Sequence, residues 1–149
     1  MEYEPSPSER VREQVARYEA TGGREGGTLE GRPVVILTSR GAKSGKVRKT
    51  PLIRIEQDGV YAVTASAAGA PTHPAWYWNV LADPRVRLQD GDRVGEFRAR
   101  EPAGEELDRW WAVAEAHWPH FPEYRERAGG RVIPLLLLEP VLPEAAGLG

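Results

Sequence analysis

Between Arg32 and Arg54 the chain carries seven cationic side chains and no acidic one. All three lysines of the protein, Lys43, Lys46 and Lys49, fall in that window, although the net charge is −2. A run of like charge is by default a solvated face. A run with no opposite charge, inside a slightly acidic protein, better suits an anionic ligand. Its centre, Arg40-Gly41-Ala42-Lys43-Ser44-Gly45-Lys46, has glycines that let the backbone turn its amides toward one point, with cations beside them. Phosphates and carboxylates are held by such arrangements. The loop is not a Walker A motif, because Gly41 and Gly45 stand one residue too close and Val47 occupies the magnesium-ligating position. Taken alone it could equally be the polar tip of a hairpin. Pro51 follows in an apolar strand pattern, and a proline there places the strand at an edge, a bulge or a barrel opening.

A second group of residues suits a flat ring. Ala65-Ser66-Ala67-Ala68-Gly69-Ala70 is a run of small side chains that permits close approach to backbone. His73-Pro74-Ala75-Trp76-Tyr77-Trp78-Asn79 comes directly after it. Trp76 and Val80 have helical spacing and by default are core, whereas a buried Asn79 would need partners. His73, His117 and His120 have no cysteine near them and no evident third ligand, so no metal site is expected. No Gly-x-Ser-x-Gly elbow is present, and Glu105-Glu106 belongs to a helix N-terminus, where the dipole favours it.

These residues must be positioned by short elements. Ser8 can cap a helix from Glu9 to about Ala20, and Thr21-Gly22-Gly23 ends it, leaving a mobile, Gly-rich linker to Gly31. Strands are predicted over Pro33–Ser39, Val47–Gln57, Val60–Ser66, around Val86 and Leu88, over Val94–Arg100 and over Arg131–Glu139. Asp58-Gly59 is a two-residue hairpin signal. Helices are predicted over Ala75–Ala82 and about Gly104–His117, with Pro119–Tyr124 irregular. Six hairpin-linked strands with so few crossovers exclude a doubly wound parallel sheet. The expected fold is mainly β (α+β): a small, six-stranded, mostly antiparallel barrel with flanking helices, since closure removes sheet edges.

The 149 residues, 40% of them apolar, suffice for one core: an N-terminal helix and linker (1–31), a barrel domain (32–140) and a tail (141–149). The absence of cysteine excludes disulfides and thiolate chemistry. No leader-like segment or bilayer-length apolar run is read, and a cytoplasmic location is expected. Glu9, Glu13 and Glu19 dilute the basic face of the first helix, which disfavours membrane association through it. Nucleic acid is not expected, because aromatics do not interleave the basic run. A homodimer is allowed.

Gly41-Ala42-Lys43-Ser44-Gly45, Arg48 with Thr50-Pro51-Leu52, Ala65-Ser66, Gly69-Ala70, His73-Pro74-Ala75-Trp76-Tyr77-x-Asn79, Asp83-Pro84 and Arg131-Val132-Ile133-Pro134 leading to Glu139-Pro140 share an order and spacing. In these the chain resembles the deazaflavin-dependent nitroreductase family, from about Pro33 to Pro140. The resemblance implies a split β-barrel related to the FMN-binding barrels, binding the 8-hydroxy-5-deazaflavin coenzyme F420 with its phosphodiester and polyglutamate tail. It implies a reductase that transfers a hydride to a small conjugated acceptor: a quinone, an enone or a nitro compound. Lys43, Ser44, Gly45, Arg48, Lys49, Thr50 and Pro51 would then hold the phosphate and tail side. Ala65, Ser66, Ala68, Gly69, Trp76, Tyr77 and Asn79 would line the ring and its chain. Ile53, Trp118, Phe121 and Tyr124 would border the acceptor, with Ser66 and Tyr124 as the groups serving its oxygen. Ala42 and Ala67 stand where the family often has Arg and Lys. Trp118, Phe121 and Tyr124 replace the tyrosine-rich cluster of its nitro-reducing members, so another acceptor is expected. An FMN oxidoreductase on the same barrel and a non-catalytic coenzyme-binding protein are the alternatives.

Overall fold

The computed structural model describes residues 3–29, 31–65, 73–119, 121–128 and 132–141. Helix α1 spans Glu9–Thr21; the Ser8 hydroxyl accepts from the Val11 N–H, and Gly22 closes the helix in the left-handed region at φ 62°. Its buried face, Val15 and Tyr18, packs with Val34 and Ile36. Those two belong to β2 (Arg32–Arg40), whose alternate residues Val35 and Leu37 face the barrel interior instead. An apolar run reads as a buried strand because both of its faces are covered, one by a helix and one by the core.

The remaining strands are β1 (Thr28–Leu29), β3 (Val47–Ile53), β4 (Glu56–Gln57), β5 (Val60–Thr64), β6 (Arg85–Asp90), β7 (Arg93–Arg100) and β8 (Leu135–Pro140). They form one antiparallel sheet in the order β1-β2-β6-β7-β8-β5-β4, with β3 paired to β2. The sheet curls because the chain changes partner between β3 and β4. The Arg54 N–H donates to the Pro33 carbonyl of β2, and the next residue, Ile55, accepts from the Ala62 N–H of β5, both at 2.9 Å. Among the described residues β3 has a single strand partner, and its other edge is open beyond Val47, where the chain at Tyr3 and Glu4 pairs with it. That is the placement Pro51 requires.

Asp58 and Gly59 turn β4 into β5 with φ 55° and 84°, the left-handed pair of a type I′ hairpin. Helices α2 (Ala75–Ala82) and α3 (Gly104–His117) lie where expected. The barrel core comprises Val35, Leu37, Val63, Val86, Leu88, Leu136 and Leu138 with Trp76, Tyr77 and Val80 of α2. A second cluster packs α3 against the outer side, through Ala62, Leu135, Leu137 and Trp118.

Four expectations need correction. The strand over Val47–Gln57 is two strands, because residues 54 and 55 form the barrel corner. The segment expected to be irregular holds a helix, α4 (Phe121–Arg127). Pro122 lies in its first turn, where a missing N–H is harmless, so the proline starts the helix rather than breaking it. The last strand begins at Leu135, not Arg131. The linker is also tied down: β1 pairs with β2, and the Gln14 amide donates to the Gly26 and Thr28 carbonyls at 3.0 and 3.3 Å.

Candidate coenzyme and acceptor site

Two adjoining cavities of about 280 and 330 Å³ run along the open edge of β3. They share a wall of Arg10, Leu29, Thr50, Pro51 and Trp76. The first carries the cations, being bordered by Arg48 and Lys49 of β3, Asn79 of α2, and Ser6 and Gln14 of the N-terminal segment, with an apolar floor that includes Val11, Val34 and Trp76. The second is largely aromatic and aliphatic, bordered by Leu52, Ile53, Thr64, Trp118, Phe121 and Tyr124. The cavities divide β3 along its length, the first taking residues 48–51 and the second 50–53. Leu52, opposite Val35, packs in the barrel core, so Arg48 and Thr50 share its side while Lys49 and Ile53 face α1.

The structure thus brings Arg48, Lys49, Thr50, Pro51, Trp76 and Asn79 to one groove, with Ile53, Trp118, Phe121 and Tyr124 at its far end. Ser66, Ala68 and Gly69 lie outside the described residues. Tyr77 borders neither cavity: it is 7% exposed in the barrel core, and its hydroxyl donates to Glu101 at 3.3 Å. Burial first, then the Glu101 carboxylate, raises its pKa. Ala65 is fully buried at the end of β5.

Lys43, Ser44 and Gly45 border neither cavity. Their loop is a closed turn rather than a cradle of free amides. The Gly41 N–H donates to the Lys46 carbonyl and the Gly45 N–H to the Gly41 carbonyl, at 2.7 and 2.9 Å. The Lys46 N–H donates to the Ser44 hydroxyl at 3.2 Å, and the Ala42 N–H to Asn79 Oδ1 at 2.9 Å. Asn79 therefore clamps the loop to α2, which supplies the partner its partial burial requires. Lys43 remains free to extend the cationic strip toward solvent.

The basic window also meets carboxylates from elsewhere in the chain. Arg54 holds Asp90 through Nε at 2.9 and 3.0 Å, and the Tyr61 hydroxyl donates to the same carboxylate at 2.5 Å. Arg54 is therefore a structural cation that ties the barrel corner to β6 and β5. Burial first, and then the bond to Asp90, pushes the Tyr61 phenol up to about 12 from 10.0. A raised folded-state value gives stability that is complete below the unfolded value near pH 10.0 and is lost as pH climbs toward 12. Tyr61→Phe is expected to cost about 1 kcal/mol at neutral pH and to flatten the alkaline decline above pH 10.0. Urea unfolding at stepped pH reads both, and an unchanged alkaline slope would refute the assignment.

Arg10, Gln14 and Leu29 are site-bordering residues that the sequence reading did not single out. For the two on α1 the usable signal was spacing: Arg10 and Gln14 are four apart and so share one side of the helix, flanking the Val11 and Val15 face. Among the described residues no group of His, Cys, Asp and Glu could hold a metal ion. No described helix is long and apolar enough to cross a membrane.

Residues 10–140 match the family model described as F420H(2)-dependent quinone reductase. An F420H(2)-dependent quinone reductase of Mycobacterium tuberculosis is 31% identical over 127 residues, 83% of this chain and 85% of that protein. A solved F420-H2 dependent reductase (FDR-A) shares 48% identity at TM-score 0.67, over 72% of this chain and 95% of its own. A second solved structure, described as a domain-swapped dimer, shares 45% identity at TM-score 0.70, over 90% and 100%. The haem storage protein HutZ of Vibrio cholerae, at 11% identity and TM-score 0.57, shares the fold alone. This chain belongs to the F420H(2)-dependent quinone reductase family, and its barrel is the split barrel of a deazaflavin-dependent oxidoreductase.

Proposed function

We propose that F420 lies along the open edge of β3, with its phosphodiester and tail toward Arg48 and Lys49 and its ring toward Trp76, and that a quinone enters the cavity bordered by Trp118, Phe121 and Tyr124. The observation that carries this is the junction, through one wall, of a cavity bordered by Arg48 and Lys49 with one bordered by Trp118, Phe121 and Tyr124. The donor set suits the coenzyme: a guanidinium and an ammonium for the anionic end, and an indole with an unpaired strand edge for the flat end. Reduced F420 supplies the hydride when bound.

The protein's own part is binding, orientation and exclusion of water. Arg48 and Lys49 fix the anionic end. Trp76 is 6% exposed and held in the core, so it gives the ring a rigid wall. Trp118 and Phe121, 1% and 2% exposed, close the far end as an apolar surface. Such a site holds the reacting atoms near about 3–3.5 Å and keeps water from the transfer. The quinone oxygen that gains negative charge needs a hydrogen-bond donor. Tyr124 is the phenol on that cavity, and Ser66 follows the buried Ala65. A small-molecule acceptor is thus the main partner. A homodimer is the assembly to test by light scattering, since one relative is described as a domain-swapped dimer.

The proposal is tested by titrating the protein with whole F420 and with a tail-free deazaflavin, following Trp fluorescence in low and moderate salt. Each charge-assisted hydrogen bond is worth about 1.5–3 kcal/mol. Whole F420 should therefore bind at least about tenfold more tightly in low salt, with the advantage shrinking as salt rises. Equal affinity for the two ligands in both salts would overturn the placement of the tail.

A further inference from the structure

The cations of the groove are already engaged by acids of the N-terminal segment. Glu4 Oε2 lies 2.5 Å from Arg48 Nη1, and its other oxygen lies 3.8 Å from Lys46 Nζ. This carboxylate is delivered by backbone rather than by chance. The Glu4 N–H donates to the Val47 carbonyl at 2.8 Å, and Tyr3 forms a parallel bridge with the same residue. Lys49 is engaged in a second way. Its ammonium sits 2.6 Å from Glu19 and 4.8 Å over the Tyr3 ring, although its stem borders the first cavity. Glu19 is fixed on α1 beside Tyr18, whose hydroxyl donates to the Val34 carbonyl and accepts from the Gly91 N–H.

We propose that Glu4 and Glu19 are intramolecular competitors for the coenzyme tail, holding Arg48 and Lys49 until carboxylates of the tail replace them. The inference rests on the placement of the tail along β3 given above. A side-chain carboxylate and a tail carboxylate are the same chemical group, so the pair that is given up offsets part, not all, of what each cation offers the tail. A tail offering several linked carboxylates wins by effective concentration. A ligand bearing a single phosphate has no such advantage, and the pairing discourages it. The exchange also has a kinetic consequence. The coenzyme is a dissociable reactant here, because it leaves oxidised after giving up its hydride and the chain must then accept a reduced molecule. Recapture of Arg48 by Glu4 offers the departing tail a stepwise route off the strip. Lysine suits this role at position 49, as its flexible stem lets one ammonium serve either side of β3.

The experiment uses the full-length chain and its Glu4→Gln, Glu19→Gln and double variants, with Arg48→Ala as the reference. Equilibrium titration and stopped-flow release are followed by Trp fluorescence, with whole F420 and with tail-free deazaflavin. An exposed ion pair is worth up to about 1 kcal/mol, so each single variant is expected to tighten F420 binding about two- to fivefold in low salt. Most of the change should appear as slower release, and tail-free deazaflavin should show none. Unchanged or weaker F420 binding in Glu4→Gln, with Arg48→Ala still losing affinity, would overturn the proposal and make Glu4 a residue that positions Arg48. F420 binding indifferent to both Arg48→Ala and Glu4→Gln would instead overturn the tail placement, and the proposal with it.

Discussion

Replacing Arg48 by alanine is expected to weaken F420 binding by about tenfold to a hundredfold, the loss of one or two charge-assisted hydrogen bonds to phosphate or carboxylate. Lys46→Ala should change it by less than about threefold, because Lys46 borders neither cavity and its exposed pair with Glu4 is weak. Two observations separate the positions. Arg48 lies on β3 on the same side as Leu52, which packs in the barrel core, and it borders the cationic cavity. Lys46 precedes the strand and meets Glu4 only at 3.8 Å. A guanidinium also presents two parallel donors to an anion, which a lysine does not. The measurement is equilibrium binding in low salt, with thermal unfolding of each variant to confirm an intact fold. Equal loss in the two variants would mean that the strip acts as a diffuse charge, and the residue assignment would fail. The effect in Arg48→Ala should grow in the Glu4→Gln background, by about the two- to fivefold that Glu4→Gln gains, because Arg48 then gives up no intramolecular pair when the tail binds.

The parts of this site legible in the sequence were those carried by local chemistry. Pro51 limited its strand to an edge, a bulge or a barrel opening, and the edge is where the groove runs. The Asp58-Gly59 turn and the bounds of α2 and α3 followed from turn residues and helical period. The parts that were not legible depend on long-range geometry. The break between β3 and β4 occurs inside an alternating pattern, because what changes at residues 54 and 55 is the partner strand and not the side-chain period. Glu4 and Glu19 stand 44 and 30 residues from Arg48 and Lys49, so an acid-free window in sequence is not acid-free in space. Arg10 is a third example. Amphipathicity told which side of α1 is buried, but not that the residue beside Val11 would border both cavities.

At the acceptor end, Tyr124→Phe is expected to lower quinone turnover by about a hundredfold while leaving F420 affinity within about twofold, by analogy with the loss of an oxyanion-hole donor. Tyr124 is half-buried, packs edge-on against Phe121 at 6.2 Å between ring centroids, and borders the cavity. Trp118 and Phe121 beside it supply flat apolar area and are almost wholly buried. Phe121 is braced edge-on by Trp111 at 5.7 Å, so the surface is rigid. A quinone matches that surface: a planar ring for the aromatics and one oxygen that takes up charge. A nitroimidazole spreads its developing charge over two nitro oxygens, and Phe121 offers no hydrogen bond to the second. Quinone reduction should therefore exceed nitroimidazole reduction in the native protein. The test is steady-state oxidation of reduced F420 with menadione and with a bicyclic nitroimidazole, for the native chain, Tyr124→Phe and Phe121→Tyr. Faster nitroimidazole turnover by the native chain would refute the ranking. Undiminished menadione turnover in Tyr124→Phe would remove Tyr124 from the chemistry and leave Ser66 as the group that serves the quinone oxygen.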